Sequence, residues 1–580
     1  MPDLIDAAKK SIEKLLEDSY LRAAEKGQLP TGAALQGTVE VPKDANNGDF
    51  AANHAMSGAR ALRMAPRRIA DALVENLELE GSWFASAEAA GPGFINFRLA
   101  PTWYADVLAA VQAAGADYGR SDDLSGQRIM VEFVSANPTG PMHMGNARGG
   151  VLGDTLASVL DRAGADVWRE FYVNDAGNQI EKFATSIDAR YAQLILGEDA
   201  VEFPEDGYHG DDIRDIAARF RAEKGDGWLE KPVEERHAEM ARFGLDINLP
   251  KMKSDLARYG IQYDEWFFES SLHKSGYVAA TVDELTARGW TYESDGALWL
   301  ATSRIMGEEL RRAGKSEEDI EKLALKDDVL RRANGIYTYF AADIAYHRNK
   351  FAVRGFDRVI NIWGADHHGH VARLKGALDA LGIDPEKLDI VLMQLVKLMR
   401  DGEVVRMSKR TGKAISLGDL LDEIPVDAAR WFFNARPETQ MDFDLGLAVR
   451  QDSENPVYYV QYAHARICSI LRNLADEGYS VPQAGEADIA LLSTPQEHEV
   501  IQQLAELPEE ILRAAHSLDP SRINRYVTEL SARFHRFYNT CRIKGEEEGV
   551  LKARLLLADC VRSVIANCLG ILGVSAPEQM

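Results

Sequence analysis

The stretch Arg128-Ile-Met-Val-Glu-Phe-Val-Ser-Ala-Asn-Pro-Thr-Gly-Pro-Met-His143-Met-Gly-Asn146 passes from an almost continuous apolar run, through a turn, into a helix. A run of that kind suits a strand buried on both faces of a parallel sheet. The helix carries Leu152, Leu156, Val159, Leu160 and Ala163 as its apolar positions and stops at Gly164. A second strand pattern, Asp166-Val-Trp-Arg-Glu-Phe-Tyr-Val173, follows. Strand, helix, strand is a βαβ unit, so the order predicts a Rossmann-like parallel-sheet catalytic core. Further strands are expected over 357–363 and 389–395, then a hairpin turning on Asp401-Gly402.

Working outward, residues 1–117 mix helices with short strands, including Gly93-Phe-Ile-Asn-Phe-Arg-Leu99, and predict a small N-terminal α+β domain. A helix is expected through Ala61 to Asn76, and the turn-rich stretch 118–126 reads as a linker. The core spans 127–443, with a more polar, helical insertion over about 178–325. From 444 to 580 the pattern is almost purely helical, a C-terminal all-α bundle. The fold class is thus multidomain α/β.

The 580 residues are 46% hydrophobic and 27% charged, with a formal net charge of −25. No apolar run approaches the ~20 residues that cross a bilayer. The four cysteines, Cys468, Cys541, Cys560 and Cys568, form no CxxC and read as reduced core thiols. A cytoplasmic monomer without membrane contact is expected. The acidic balance argues against indiscriminate nucleic-acid binding, but a basic face can coexist with it. Six basic residues and one acidic residue between Ser521 and Lys544 predict such a face on the bundle.

Ligands of a parallel sheet bind beyond the carboxyl ends of its strands, and helix N-termini there suit phosphate. His143 and Asn146 fall at such a helix start, three apart, and both can donate to phosphate oxygens. Gly145 between them would let a base or backbone approach. Downstream, Arg406-Met407-Ser408-Lys409-Arg410-Thr-Gly412-Lys413 sets four cations on one loop. That loop can close over a triphosphate and neutralise departing pyrophosphate. Together the two segments describe a site that holds ATP from both ends.

Gly364-Ala-Asp366-His367-His368-Gly369-His370 ends a strand on the same side. Neighbouring strand residues point opposite ways, so a wall of the pocket is preferred over a metal site. Glu132 interrupts a buried run and needs a partner. Glu269, with Tyr339 and Asp343 four apart on a helix, would suit a cationic substrate.

The two segments resemble the HIGH and KMSKS motifs of class I aminoacyl-tRNA synthetases. Longer strings narrow the resemblance to the arginyl-tRNA synthetases: VEFVSANPTGPMHMGNARGGVLGDTLA, IYTYFAADIAYHRNKF, NIWGADHHGHVARLKGAL, VRMSKRTGKAISLGDLLDEIPVDAARWFF and ENPVYYVQYAHARICSILR. The resemblance implies ATP-dependent activation of L-arginine, with bound tRNA required, then transfer to the 3′ end of tRNA(Arg); Mg²⁺ is expected with ATP. It implies that His143 and Asn146 meet ATP phosphates, Gly145 lies against adenine, Met407 and Ser408 belong to the ATP loop, and Lys409 stabilises the transition state. Glu132 and Asn137 match positions for the amino acid end of arginine; Tyr339, Asp343 and Glu269 match those gripping guanidinium, and Asp366 and His367 a polar pair lining the pocket. The bundle would read the anticodon, and the first domain would meet the tRNA elbow through Asn96 or Phe97. Asn146 departs from the second histidine of HIGH, and Arg406 and Arg410 from the first lysine and last serine of KMSKS. A class I synthetase for another amino acid and a catalytically silent tRNA-binding paralogue stay open as alternatives.

Overall fold

The structure, a computed structural model, describes residues 3–32, 34–365, 368–400, 402–405, 415–435 and 440–580. Helix Leu4–Glu25 starts the chain, its first turn capped by the Asp3 carboxylate, which accepts from the amides of Ile5 and Asp6. Strands β1 (Val39–Glu40), β2 (Phe50–Ala52), β3 (Phe84–Ala90) and β4 (Phe94–Leu99) form an antiparallel sheet in the order β1-β2-β4-β3. The helix expected through Ala61 to Asn76 is two, His54–Leu62 and Pro66–Glu75. Arg63 turns left-handed between them and Pro66 starts the second. Asn96 and Phe97, expected to meet RNA, are 4% and 0% exposed. Strand β4 is interior to its sheet, and Phe97 packs edge-on against Phe84, so neither can serve as a contact in this arrangement.

The central sheet is parallel and five-stranded. It contains β5 (Arg128–Glu132), β6 (Asp166–Val173) and β7 (Glu265–Phe268); after a small antiparallel sheet of β8 (Thr291–Ser294), β9 (Ala297–Leu300) and β10 (Asp328–Arg331) come β11 (Arg358–Gly364) and β12 (Leu388–Met393). Its order is β12-β11-β5-β6-β7, so the chain winds one way from β5 and the other from β11. The crevice between β5 and β11 is therefore the topological switch point, where such sheets bind ligands.

The stretch 178–325 differs from a single helical insertion, because β7 within it extends the central sheet beside β6. Phe171 and Trp266 stack at 4.2 Å across that pair, an apolar contact that a polar helical reading overlooks. Helices Asn178–Leu196, Asp211–Lys224 and Val233–Arg258 close a separate core around Phe183, Tyr191, Phe220 and Phe243. A third small sheet pairs β13 (Val396–Arg400) with β14 (Glu403–Val404) and β15 (Met441–Asp444).

Helices Pro456–Asp476, Pro495–Ser517, Ser521–Thr540 and Glu548–Leu572 build the bundle. Among the described residues, Glu548–Leu572 is the one helix long and apolar enough to cross a membrane, and it lies mostly inside the bundle. The four cysteines are free and buried. The basic residues of 521–544 are largely neutralised: Arg522 pairs with Glu510, Arg525 with Asp519, Arg533 and Arg536 with Glu529, and Lys544 with Glu477. Arg430, fully buried, ties the bundle to the core by donating to Leu572 O (2.9 Å), Tyr259 O (3.0 Å) and Asp154 Oδ2 (2.5 Å).

Candidate active site

The chain leaves β5 through a strained turn. Val134 and Ser135 both have positive φ, 70° and 43°, which a β-branched residue rarely adopts. Ser135 Oγ accepts the Tyr172 amide (3.1 Å) and donates to Glu132 Oε1 (2.9 Å), so the strain is held by hydrogen bonds. Tyr263 Oη donates to Phe133 O, and Asn248 Nδ2 donates to Pro138 O, clamping the loop. Asn137 is exposed at its crest.

Helix Met144–Arg162 then begins with a reciprocal cap. His143 Nδ1 accepts the Gly145 amide at 3.0 Å, and Asn146 Oδ1 accepts the His143 amide at 3.1 Å. A ring nitrogen that accepts carries no proton, so His143 is a neutral imidazole with Nε2–H left to donate. Partial burial pushes its pKa down, in keeping with that tautomer. Gly145 serves the cap: a Cβ there would stand 2.8 Å from His143 Cε1, so its first role is to seat the imidazole. Asn146 spends its amide oxygen on the cap, and its NH₂ remains the donor for a ligand.

Residues 142–144 pair with the segment just past the cationic loop. Leu417 N donates to Met142 O (2.9 Å), Met144 N donates to Ile415 O (3.2 Å), and His143 faces Ser416 in an antiparallel bridge. Arg406, Met407, Ser408, Lys409 and Arg410 themselves, like Asp366 and His367, lie outside the described residues. Buried Arg148 donates to Gln394 O at 2.7 Å, fastening the same helix to the loop before β13; burial pulls its pKa down to about 10.

The acidic residues converge from three elements. Glu132 ends β5, Glu269 starts helix Glu269–Lys274 after β7, and Asp343 lies on helix Tyr339–Ala352. The Tyr339 hydroxyl reports them all: crowding by protein raises its pKa first, then the charges of Asp343, Glu132 and Glu269. Tyr339 as a whole is 61% exposed, whereas Glu132, Glu269 and Asp343 are buried. Glu269 accepts from Tyr172 Oη (2.8 Å) and lies 3.3 Å from His273 Nε2, and Asn174, with its amide turned to suit, donates to it at 3.2 Å. Desolvation raises its pKa against the pull of Tyr172 and His273. For Asp343, burial alone would raise the carboxyl, but the imidazoles of His347 (3.1 Å) and His370 (2.6 Å) outweigh it and hold it below the carboxylate range.

The partner that Glu132 requires is Lys350, fully buried, whose Nζ lies 2.5 Å from Oε2 and 3.2 Å from Asn361 Oδ1. Lys350 and His347 escape a reading focused on Tyr339 and Asp343. The signal for them is spacing, since 343, 347 and 350 repeat on one helical face.

A switch-point sheet, with a capped helix opening at His143 just after β5 and the buried carboxylates Glu132, Glu269 and Asp343 supplied by three elements, has the arrangement of a class I aminoacyl-tRNA synthetase. Residues 110–442 match the family described as tRNA synthetases class I (R), catalytic domain; residues 6–99 match the arginyl tRNA synthetase N terminal domain, and 460–580 the DALR anticodon binding domain. The chain is 51% identical to an arginine–tRNA ligase of Acetivibrio thermocellus, with 100% of each chain covered. It is 52% identical to that of Caldanaerobacter subterraneus, again over 100% of both. The solved arginyl-tRNA synthetase of Thermus thermophilus superposes with a TM-score of 0.70 at 22% identity, covering 99% of this chain and 100% of that one, a likeness of fold. The chain belongs to the arginine–tRNA ligase family, whose chemistry consumes ATP to join arginine to tRNA.

Proposed function

We propose that the crevice activates L-arginine as its adenylate and passes it to the 3′-terminal adenosine of tRNA(Arg). The observation that carries this reading is the pairing of Met142–Met144 with Ile415–Leu417, which sets His143 opposite Ser416, just after the cationic segment in sequence. His143 Nε2–H and the Asn146 amide would donate to ATP phosphates, Gly145 would lie near adenine, and Met407, Ser408 and Lys409 would cover the triphosphate. Lys409 would neutralise charge as pyrophosphate leaves. Mg²⁺ would accompany the nucleotide.

In this reading Glu132 and Asn137 take the amino acid end of arginine, while Tyr339, Asp343 and Glu269 take its guanidinium; Asp366 and His367 line the pocket. A planar guanidinium offers forked donors that a lysine ammonium cannot match, so paired carboxylates select for it. The geometry at Glu132 adds that one oxygen already serves Lys350, so an incoming amine would share that carboxylate with an ammonium. The bundle would read the anticodon, the N-terminal domain would contact the tRNA, and bound tRNA would be required for activation. The chain would act as a monomer in the cytoplasm, away from membranes.

Aminoacylation of total tRNA with arginine, lysine and citrulline tests the reading. Charging with arginine alone is expected, and charging with either of the others in its place overturns it. ATP–pyrophosphate exchange that runs only when tRNA is added is expected as well, and exchange at full rate without tRNA removes the tRNA requirement.

A further inference from the structure

Glu132 and Asp343 are joined by a continuous buried hydrogen-bond chain that no substrate-contact role requires. Lys350 Nζ donates to Glu132 Oε2 (2.5 Å) and to Asn361 Oδ1 (3.2 Å). With its oxygen so engaged, Asn361 can only donate through Nδ2, which lies 2.7 Å from His347 Nε2. That contact makes Nε2 the unprotonated nitrogen, so Nδ1–H points at Asp343, 2.9 Å from its carbonyl oxygen and 3.1 Å from Oδ1. Because an ammonium has donors and no acceptor, the direction of every link is set from Lys350 outward. Lys350, Asn361 and His347 are 0%, 0% and 1% exposed, so water does not compete for the links. The chain also crosses the switch point: Glu132 lies on β5, Asn361 pairs with it from β11, and Lys350 and His347 come from the helix between.

We propose that Lys350, Asn361 and His347 are positioning residues that fix the separation of the Glu132 and Asp343 carboxylates, and thereby the length of amino acid the site accepts. The inference rests on the reading that these carboxylates grip the two ends of arginine. An apolar wall discriminates one methylene by only about 10–200-fold, and only while its geometry is held. A spacing fixed by backbone-anchored links on a sheet and a helix is such a restraint, and it ties the ruler to the rigid part of the fold.

The test is Asn361→Leu, which keeps the branched heavy-atom skeleton, though not the volume, and cuts the chain in the middle while sparing both carboxylates and the Lys350–Glu132 pair. Expected is a rise of about tenfold or more in KM for arginine with kcat changed by less than about threefold, and a loss of about tenfold in preference for arginine over its homologue one methylene longer. The KM for ATP should hold. Selectivity and arginine KM both within twofold of wild type overturn the proposal. Should Asn361→Leu not fold, His347→Leu against His347→Gln carries the same measurement: glutamine can still accept from Asn361 and donate to Asp343, so it should restore selectivity where leucine loses it. Equal behaviour of the two overturns the proposal. Asp343→Asn separates the underlying reading from the inference. If it leaves arginine KM unchanged the site assignment falls, whereas if it raises KM and Asn361→Leu does not, the ruler alone falls.

Discussion

The backbone amide of Leu417 donates to the carbonyl oxygen of Met142 at 2.9 Å, pinning the start of helix Leu417–Glu423 to the residue before His143. Ser416 is fixed in turn by Asp419, whose carboxylate accepts the Ser416 hydroxyl at 2.7 Å while its amide donates back at 3.0 Å. The segment that follows the cationic stretch in sequence is thus fixed beside His143. Lys409→Ala should therefore cut ATP–pyrophosphate exchange by about 10²–10³-fold, the usual loss for one transition-state donor. Its affinity for tRNA should stay within about twofold, measured by filter binding. An unchanged exchange rate would remove the loop from the chemistry.

Gly145 has a second consequence. A methyl group there would meet His143 Cε1 at 2.8 Å and Nδ1 at 2.9 Å, so the imidazole must leave its cap. Gly145→Ala is expected to raise KM for ATP several-fold with little change in arginine KM, and a crystal structure of the variant should show His143 rotated away from the helix end.

Asp343 is held ionised by His347 and His370, which outweigh the effect of burial. Asp343→Asn removes the charge and keeps the shape. A hydrogen bond to a charged group contributes about 1.5–3 kcal/mol, so KM for arginine should rise by roughly 10–100-fold. Steady-state exchange kinetics read this directly, and a KM within twofold would exclude Asp343 from the pocket.

Arg430 bridges the C-terminal helix and the helix that starts at Met144, and it is fully buried. Arg430→Met would leave Asp154 half-paired and two carbonyl oxygens without a donor. Breaking a buried pair from one side typically costs about 3–5 kcal/mol. A markedly lower urea midpoint is expected, with hydrogen exchange rising first at Asp154 and Leu572, where core and bundle meet. No shift in midpoint would mean that the junction is held by other contacts.

His535 lies against Tyr459 and Tyr462, and its Nε2 has no hydrogen-bond partner among the described residues. Desolvation, with Arg466 adding to it, lowers its pKa to about 4. The unfolded chain would protonate this side chain near its ordinary value of about 6.5. As pH falls from there towards 4 the unfolded state alone gains the proton, so its contribution to stability is full above 6.5 and declines below it. His535→Phe should flatten that part of the curve of Tm against pH; an identical slope in both proteins would refute the assignment.

Much of the site is legible in the order of residues. The strand ending at Glu132, the helix opening at His143 and the face shared by Tyr339 and Asp343 are local matters, set by hydrophobic period and turn chemistry within a few residues. β7 is not legible in that way, because Glu265–Phe268 is only four residues long and sits among helices; its membership of the sheet is decided by β6, far away in the chain. The basic run of 521–544 is legible as charge and misleading as surface, since its partners Glu510 and Glu477 come from other helices.

Near-neighbour periodicity and side-chain chemistry are enough to mark the βαβ unit of 128–173, the helical C-terminal bundle, two segments suited to phosphate and the acidic positions suited to a cation. What those groups do to one another is settled only by the folded arrangement. It supplies Glu132 with a buried lysine, turns the Asn146 oxygen into a cap, sets the proton of His347 on Nδ1 and withdraws Asn96 and Phe97 from the surface. Hydrogen-bond direction and burial depend on atoms brought together from distant parts of the chain, and no local pattern encodes that meeting.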